Sequence, residues 1–197
     1  MKNRKYLSWV APLLAGGLLA AFVYPTVRNS KSAGRLPEKL SEKLPATQRP
    51  ASDLPPKVGD LAPDIQLPNP EGNVLKLSSL RGKVVLLDFW ASWCGPCRQE
   101  NPVTVAAYQK YKDRGFTVFS VSLDRNKKSW VKAIQADQLG WEGHVSDLQF
   151  WNSAAAAQYG SEAIPATFLI DPTGKVIARD LRGPDLEKAL RKVLKAK

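Results

Sequence analysis

The hydrophobic rhythm of the chain changes several times, and each change marks an element. No charged residue occurs from Tyr6 to Val27, and Leu7 to Tyr24 is nearly continuous apolar sequence. Roughly 18–20 such residues suffice for a helix to cross a bilayer, so a single N-terminal transmembrane helix is predicted. Residues 28–57 then carry Pro37, Pro45, Pro50, Pro55 and Pro56 among Ser and Lys, the composition of a spacer. From Val58 the pattern becomes that of a folded domain. Short apolar runs on either side of Pro68–Asn73, ending at Leu67 and beginning at Val74, predict a β-hairpin. Ser78–Gly82 reads as a turn. Val84–Trp90 is almost wholly apolar, as a central parallel strand must be. A helix is predicted from Cys97 to about Arg114, bent at Pro102 and ended by Gly115. Phe116–Leu123 is the next strand. Ser129–Leu139 places Trp130, Val131, Ile134 and Leu139 at helical spacing. A short helix over Asn152–Tyr159, strands at Ala166–Ile170 and Lys175–Arg179 around the turn Asp171–Gly174, and a last helix at Leu186–Leu194 complete the pattern. Alternating β and α, closed by a hairpin and a helix, implies an α/β fold with a mixed sheet flanked by helices. The expected organisation is a membrane anchor or signal segment (1–28), a flexible Pro/Lys-rich linker (29–57) and one domain (58–197).

Charge refines this division. The formal net charge is +11, but residues 1–57 carry ten Lys/Arg against three Asp/Glu, and residues 58–197 nineteen against fifteen. Most of the basic excess therefore lies outside the domain, which argues against nucleic-acid binding. Lys2, Arg4 and Lys5 precede the apolar stretch, and by the positive-inside rule the domain faces the periplasm. Trp9 and Tyr24 stand near its two ends, where aromatic rings favour the headgroup zone. A cleavable signal peptide, which would release the domain to the periplasm, is the rival reading.

The chemistry rests on the only two cysteines, in Trp93-Cys94-Gly95-Pro96-Cys97. A disulfide between residues this close closes almost no loop, so its use lies in opening and closing. A strand runs into the pair and a helix runs out of it. Cys94 at the helix N-terminus faces unpaired N–H groups and the positive end of the helix dipole, both of which favour a thiolate. Cys97, one turn further in, is expected to be more buried. Pro96 suits an early helix position, where its missing N–H is not needed. The expected cycle is attack by Cys94 on a substrate disulfide, then attack by Cys97 on the mixed disulfide. The second step needs a base, and two carboxylates qualify. Asp88 interrupts the apolar strand, which a charge avoids without a partner or a role. Glu100 lies one helical turn after Cys97.

Asp88-Phe89-Trp90-Ala91-Ser92-Trp93-Cys94-Gly95-Pro96-Cys97 resembles the active-site segment of thioredoxins. Val58-Gly59-Asp60-Leu61-Ala62-Pro63 and Cys97-Arg98-Gln99-Glu100-Asn101-Pro102 resemble the membrane-tethered TlpA/ResA-type branch, and Ile164-Pro165-Ala166-Thr167 looks like its cis-proline loop. The resemblance implies a thioredoxin-like fold over 58–197. It implies that Asp88 corresponds to the buried thioredoxin aspartate and Glu100 to the glutamate of the tethered branch. Trp93, Gly95, Pro96, Ile164 and Pro165 are the candidate substrate-contacting residues, with the Ile164 backbone offered to an extended substrate. It further implies a disulfide reductase with no cofactor beyond the Cys94–Cys97 couple. Oxidised proteins, such as apocytochromes in cytochrome c maturation, would be its substrates, and a membrane thiol-electron donor would supply it.

Two other chemistries use the same residues. A peroxiredoxin-type peroxidase would want threonine three positions before its reactive cysteine, and position 91 is Ala. A copper carrier would use Cys94, Cys97 and His144, the only histidine, which the pattern leaves in a loop beside Gly143.

Overall fold

The computed structural model describes residues 54–195, so the predicted anchor and most of the linker lie outside the described residues. Among the described residues no helix is long and apolar enough to cross a membrane. Strands β1 (Gln66–Pro68) and β2 (Val74–Lys76) form the expected hairpin, with Leu67 opposite Leu75. The main sheet contains β3 (Val84–Trp90), β4 (Phe116–Ser122), β5 (Gly143–Val145), β6 (Ala166–Ile170) and β7 (Val176–Arg179), in the order β5-β4-β3-β6-β7. Helices α1 (Gly95–Tyr111), α2 (Lys127–Ala136), α3 (Ala154–Gln158) and α4 (Gly183–Lys195) connect and cover it. This is a thioredoxin-like arrangement.

Every residue of β3 is buried, because the strand is paired on both sides: parallel to β4 and antiparallel to β6. Its side chains alternate between the two faces of the sheet. Phe89 points to one face, with its ring 5.5 Å from that of Tyr159 and 6.1 Å from that of Phe168. Burial of Phe89, Phe116, Phe119 and Phe168 contributes about 1.5–3 kcal/mol each. Asp88 points to the opposite face, where Thr104 of α1 and Leu186 of α4 lie. The two helices are tied across their surfaces by Glu187, whose Oε1 accepts from Tyr111 O–H at 2.8 Å and pairs with Lys110 Nζ at 2.6 Å.

The departures from the predicted pattern have local causes. Helix α1 starts at Gly95 because Cys94 is its N-cap, with Pro96 in the first turn. Pro102 lies within this helix, and its end tightens into a 3-10 turn at Lys112–Arg114 before Gly115 turns left-handed at φ 85°. A 3-10 turn over Leu77–Leu80 leads into the turn ending at Gly82. Asn126 caps α2 by accepting from the Ser129 N–H at 3.0 Å, so that helix starts before Ser129. The short helix is divided: Phe150–Asn152 forms a 3-10 turn, Ser153 is extended, and α3 follows.

Strand β5 corrects the sequence reading. With three residues and one apolar β-former, Val145, it carries no periodic signal, and it exists through pairing with Phe119–Val121 of β4. His144 is accordingly buried in an edge strand and not in a surface loop. Gly143 packs so closely on β4 that an added Cβ would lie 2.5 Å from the Val118 carbonyl oxygen. A Gly143→Ala substitution should therefore force β5 away from β4 and cost about 1–3 kcal/mol. Denaturant unfolding checks this; a stability equal to the parent's would show that the edge strand yields freely.

Candidate active site

The site forms where β3 hands the chain to α1. Cys94 is extended (φ −82°, ψ 100°) and caps the helix, its Sγ accepting from the Cys97 N–H at 3.2 Å. The two sulfurs are joined in a disulfide with a 2.02 Å bond. The predicted contrast in burial is small in this oxidised form, with Cys94 5% and Cys97 2% exposed. The reason is the loop before β6, whose Ile164 carbonyl oxygen stands 3.8 Å from Cys94 Sγ. The Ile164–Pro165 peptide is cis. The Pro165 carbonyl accepts a 2.6 Å hydrogen bond from Arg182 Nη2, which anchors the loop to the start of α4. Gly95 and Pro96 are exposed in the first turn of α1, and Trp93 is 48% exposed beside them.

Behind the disulfide, Asp88, Cys97 and Glu100 border one cavity of about 10 Å³, together with Pro165 and Thr167. That volume is about the minimum that admits one water. Asp88 is 8% exposed, and burial pushes its carboxyl up to about 7. The cause is desolvation, since removal from water penalises the ionised form. Glu100 is only partly buried, and its Oε2 accepts a 3.0 Å hydrogen bond from the Gly183 N–H, the first residue of α4. Both candidate carboxylates thus meet at the Cys97 side, in different settings: Asp88 in the sheet interior, Glu100 tied to a helix N-terminus.

Sequence reasoning passed over the groups that hold the turn before Cys94. Every polar group of Ser92 is engaged. Its N–H and Oγ donate to the two oxygens of Asp124 at 2.9 and 2.5 Å, and its carbonyl accepts from Arg98 Nη1 at 3.1 Å. Asp124 is 1% exposed and also accepts from Ser122 Oγ at 2.7 Å, so its buried carboxylate is offset by three hydrogen bonds. Arg98 in turn makes a two-pronged pair with Asp137, the residue after α2, and Asn101 Nδ2 donates to the same carboxylate at 2.6 Å. The available signals were faint: Arg98 and Asn101 stand one turn apart on α1, and Asp124 directly follows an apolar strand.

His144 does not join the cysteines. Its Nε2 donates to the Leu139 carbonyl at 3.0 Å, since a carbonyl only accepts, and its ring stacks on Trp141 with centroids 5.2 Å apart. Burial lowers its pKa to about 4, keeping it neutral. Among the described residues no three His, Cys, Asp or Glu side chains are placed to share a metal ion, so Cys94, Cys97 and His144 do not form the copper ligand set considered above.

Comparison with known proteins agrees with this geometry. Residues 58–179 match the AhpC/TSA family. A thiol-disulfide oxidoreductase ResA of Geobacillus kaustophilus is 34% identical over 139 residues, covering 69% of this chain and 78% of that protein. One of Bacillus thuringiensis is 29% identical over 139 residues, covering 71% and 78%. The crystal structure of the thioredoxin domain of a thiol-disulfide oxidoreductase from Bacteroides vulgatus superimposes with a TM-score of 0.66 at 36% identity, covering 70% of this chain and 98% of that one.

Two buried groups, Asp88 and His144, affect stability in opposite directions as pH changes. Between about 3.8 and 7 the folded chain keeps a proton on Asp88 that the unfolded chain has lost, so stability falls as pH rises through that window. Between 6.5 and about 4 the unfolded chain takes up a proton that folded His144 refuses, so stability falls as pH drops. In the parent these two trends oppose each other. Asp88→Asn should expose the histidine slope: in the oxidised form it should be more stable than the parent by about 2–4 kcal/mol near pH 8, with that advantage vanishing near pH 4. Unfolding curves across this range provide the check; parallel curves for variant and parent would contradict the assignment.

Proposed function

The chain belongs to the AhpC/TSA family and is a thiol-disulfide oxidoreductase of the ResA type with a Cys-X-X-Cys active site, and from that premise we propose that it reduces disulfides of extracytoplasmic proteins. The observation that carries this reading is Cys94 Sγ at the mouth of α1, accepting the Cys97 N–H, with a carboxyl of raised pKa behind its partner. In the dithiol form the Cys94 thiolate attacks one sulfur of a substrate disulfide. A Cys94–substrate S–S bond forms, the substrate S–S bond breaks, and the departing sulfur takes up a proton. The Cys97 thiol passes its proton to a base and attacks Cys94 Sγ. The Cys94–Cys97 bond forms, the Cys94–substrate bond breaks, and the released sulfur takes up a proton, so the substrate leaves as a dithiol. Two electrons and two protons pass to the substrate, and a second dithiol, the electron donor, restores the couple.

Asp88 is the better suited base for Cys97. Its pKa of about 7 matches neutral working conditions, and it is unburdened by the contact that Glu100 makes with Gly183. Glu100 then positions α4 against α1 at the same cavity. Trp93, Gly95, Pro96, Ile164 and Pro165 form the rim that a substrate segment would meet. The uncharged stretch Tyr6–Val27 behind Lys2, Arg4 and Lys5 supports a tethered domain in the periplasm, supplied by a membrane dithiol donor. Apocytochromes with oxidised haem-site cysteines are a fitting substrate class, by the resemblance to the tethered branch and the ResA name of the relatives.

Cys97→Ser removes the resolving thiol. Expressed in cells, it should accumulate mixed disulfides through Cys94 that dissolve on reduction and are absent from the Cys94→Ser/Cys97→Ser double variant. Equal adducts in both would remove the assigned roles. A reduction potential at or below about −250 mV is expected for a reductant, whereas one near −120 mV would reverse the direction.

A further inference from the structure

Next to the disulfide, the rim residue Trp93 belongs to a wider aromatic surface. Trp93 and Trp151 are 48% and 40% exposed, and Phe150 joins them, with centroids 5.1 Å from Trp93 and 5.9 Å from Trp151. Exposed clusters of large aromatic rings are costly in water and characterise contact surfaces. The segment that presents them is held in place. Leu148 and Phe150 both adopt left-handed backbone at φ 57°, a conformation that bulky residues keep only when their surroundings impose it. Here Ser146 Oγ donates to the Ser122 carbonyl at 2.7 Å and accepts from the Leu148 N–H at 3.0 Å, and Asp147 Oδ1 accepts from the Gln149 N–H at 3.0 Å.

The platform has a charge. The Arg125 guanidinium sits 4.4 Å above the Phe150 ring, and Lys127 and Lys128 follow it on the same exposed stretch. Among the described residues none of the three pairs with a carboxylate. The nearest acid on the aromatic segment, Asp147, is occupied with the local turn. The cationic edge is therefore available to an incoming anion. From Trp93, adjacent to Cys94, across Phe150 to Arg125 is a span that an extended chain covers in about three residues.

We propose that the Trp93–Phe150–Trp151 platform, edged by Arg125, docks the segment of a protein substrate that flanks its reactive cysteine, and selects segments bearing a carboxylate within about three residues of that cysteine. The inference rests on the disulfide-reductase reading and adds a substrate class to it. The rings bury the apolar part of the segment, and the unpaired cation attracts its acid. The attraction raises the encounter rate and weakens with salt.

The test uses three short disulfide-bridged peptides that differ only in one residue near the attacked cysteine: Asp, Ser or Lys. The prereduced full-length chain reacts with each in single turnovers. The Asp peptide should react about tenfold faster than the Lys peptide at low ionic strength, with the difference shrinking to about twofold in about 0.5 M salt. In Arg125→Glu the order should reverse, while the Ser peptide keeps its parent rate within about twofold. Equal rates for the Asp and Lys peptides in the parent, or an acidic preference that survives Arg125→Glu, would overturn the proposal while leaving the reductase reading intact. Reduction of none of the peptides would remove that reading and the docking inference with it.

Discussion

The site depends on a short electrostatic contact: the N–H of Cys97, pointing out of the first turn of α1, meets Cys94 Sγ at 3.2 Å. Backbone donors at a helix start have no partner of their own, and a sulfur held there gains by carrying negative charge. The contact survives only if the turn Ala91–Trp93 delivers Cys94 at the right angle. Ser92 serves that purpose: its N–H and Oγ donate to Asp124 and its carbonyl accepts from Arg98, which Asp137 fixes in turn. The helix supplies the field, and the carboxylates of Asp124, just past β4, and Asp137, just past α2, supply the aim.

The opposing constraint sits behind the disulfide. Asp88 lies in the central strand of a five-stranded sheet, and a carboxyl buried there resists ionisation. What would be a defect in a purely structural strand leaves Asp88 near the point where it can take or give a proton in neutral solution. The price is stability in the oxidised protein above neutral pH. Glu100, one turn beyond Cys97, has its Oε2 engaged by the Gly183 N–H and so ties α4 to α1.

The parts legible in the sequence were those whose signals are local. Val84–Trp90 announced a central strand, and Cys94, Gly95, Pro96 and Cys97 announced a helix start with two thiols. Asp88 stood out as a charge inside an apolar run, and Pro165 stood out through a family pattern. The parts that stayed hidden depend on distant partners. Ser92 meets Asp124 32 positions later, and Arg98 meets Asp137 39 positions later. Strand β5 exists only because β4 lies beside it, which is why His144 read as a loop residue and proved buried. The aromatic platform joins Trp93 to Phe150 and Trp151 through a left-handed turn that no hydrophobic period describes.

The most direct measurement is the ionisation of Cys94 itself. In reduced Cys97→Ser protein, where Cys94 is the only thiol, the rate of alkylation as a function of pH reports its pKa. A midpoint of about 7 or lower, well under the 8.5 or so of a free cysteine, is expected from a sulfur seated on the start of α1. A midpoint at or above that of free cysteine would mean that the helix does not hold the charge, and would contradict the basis of the mechanism.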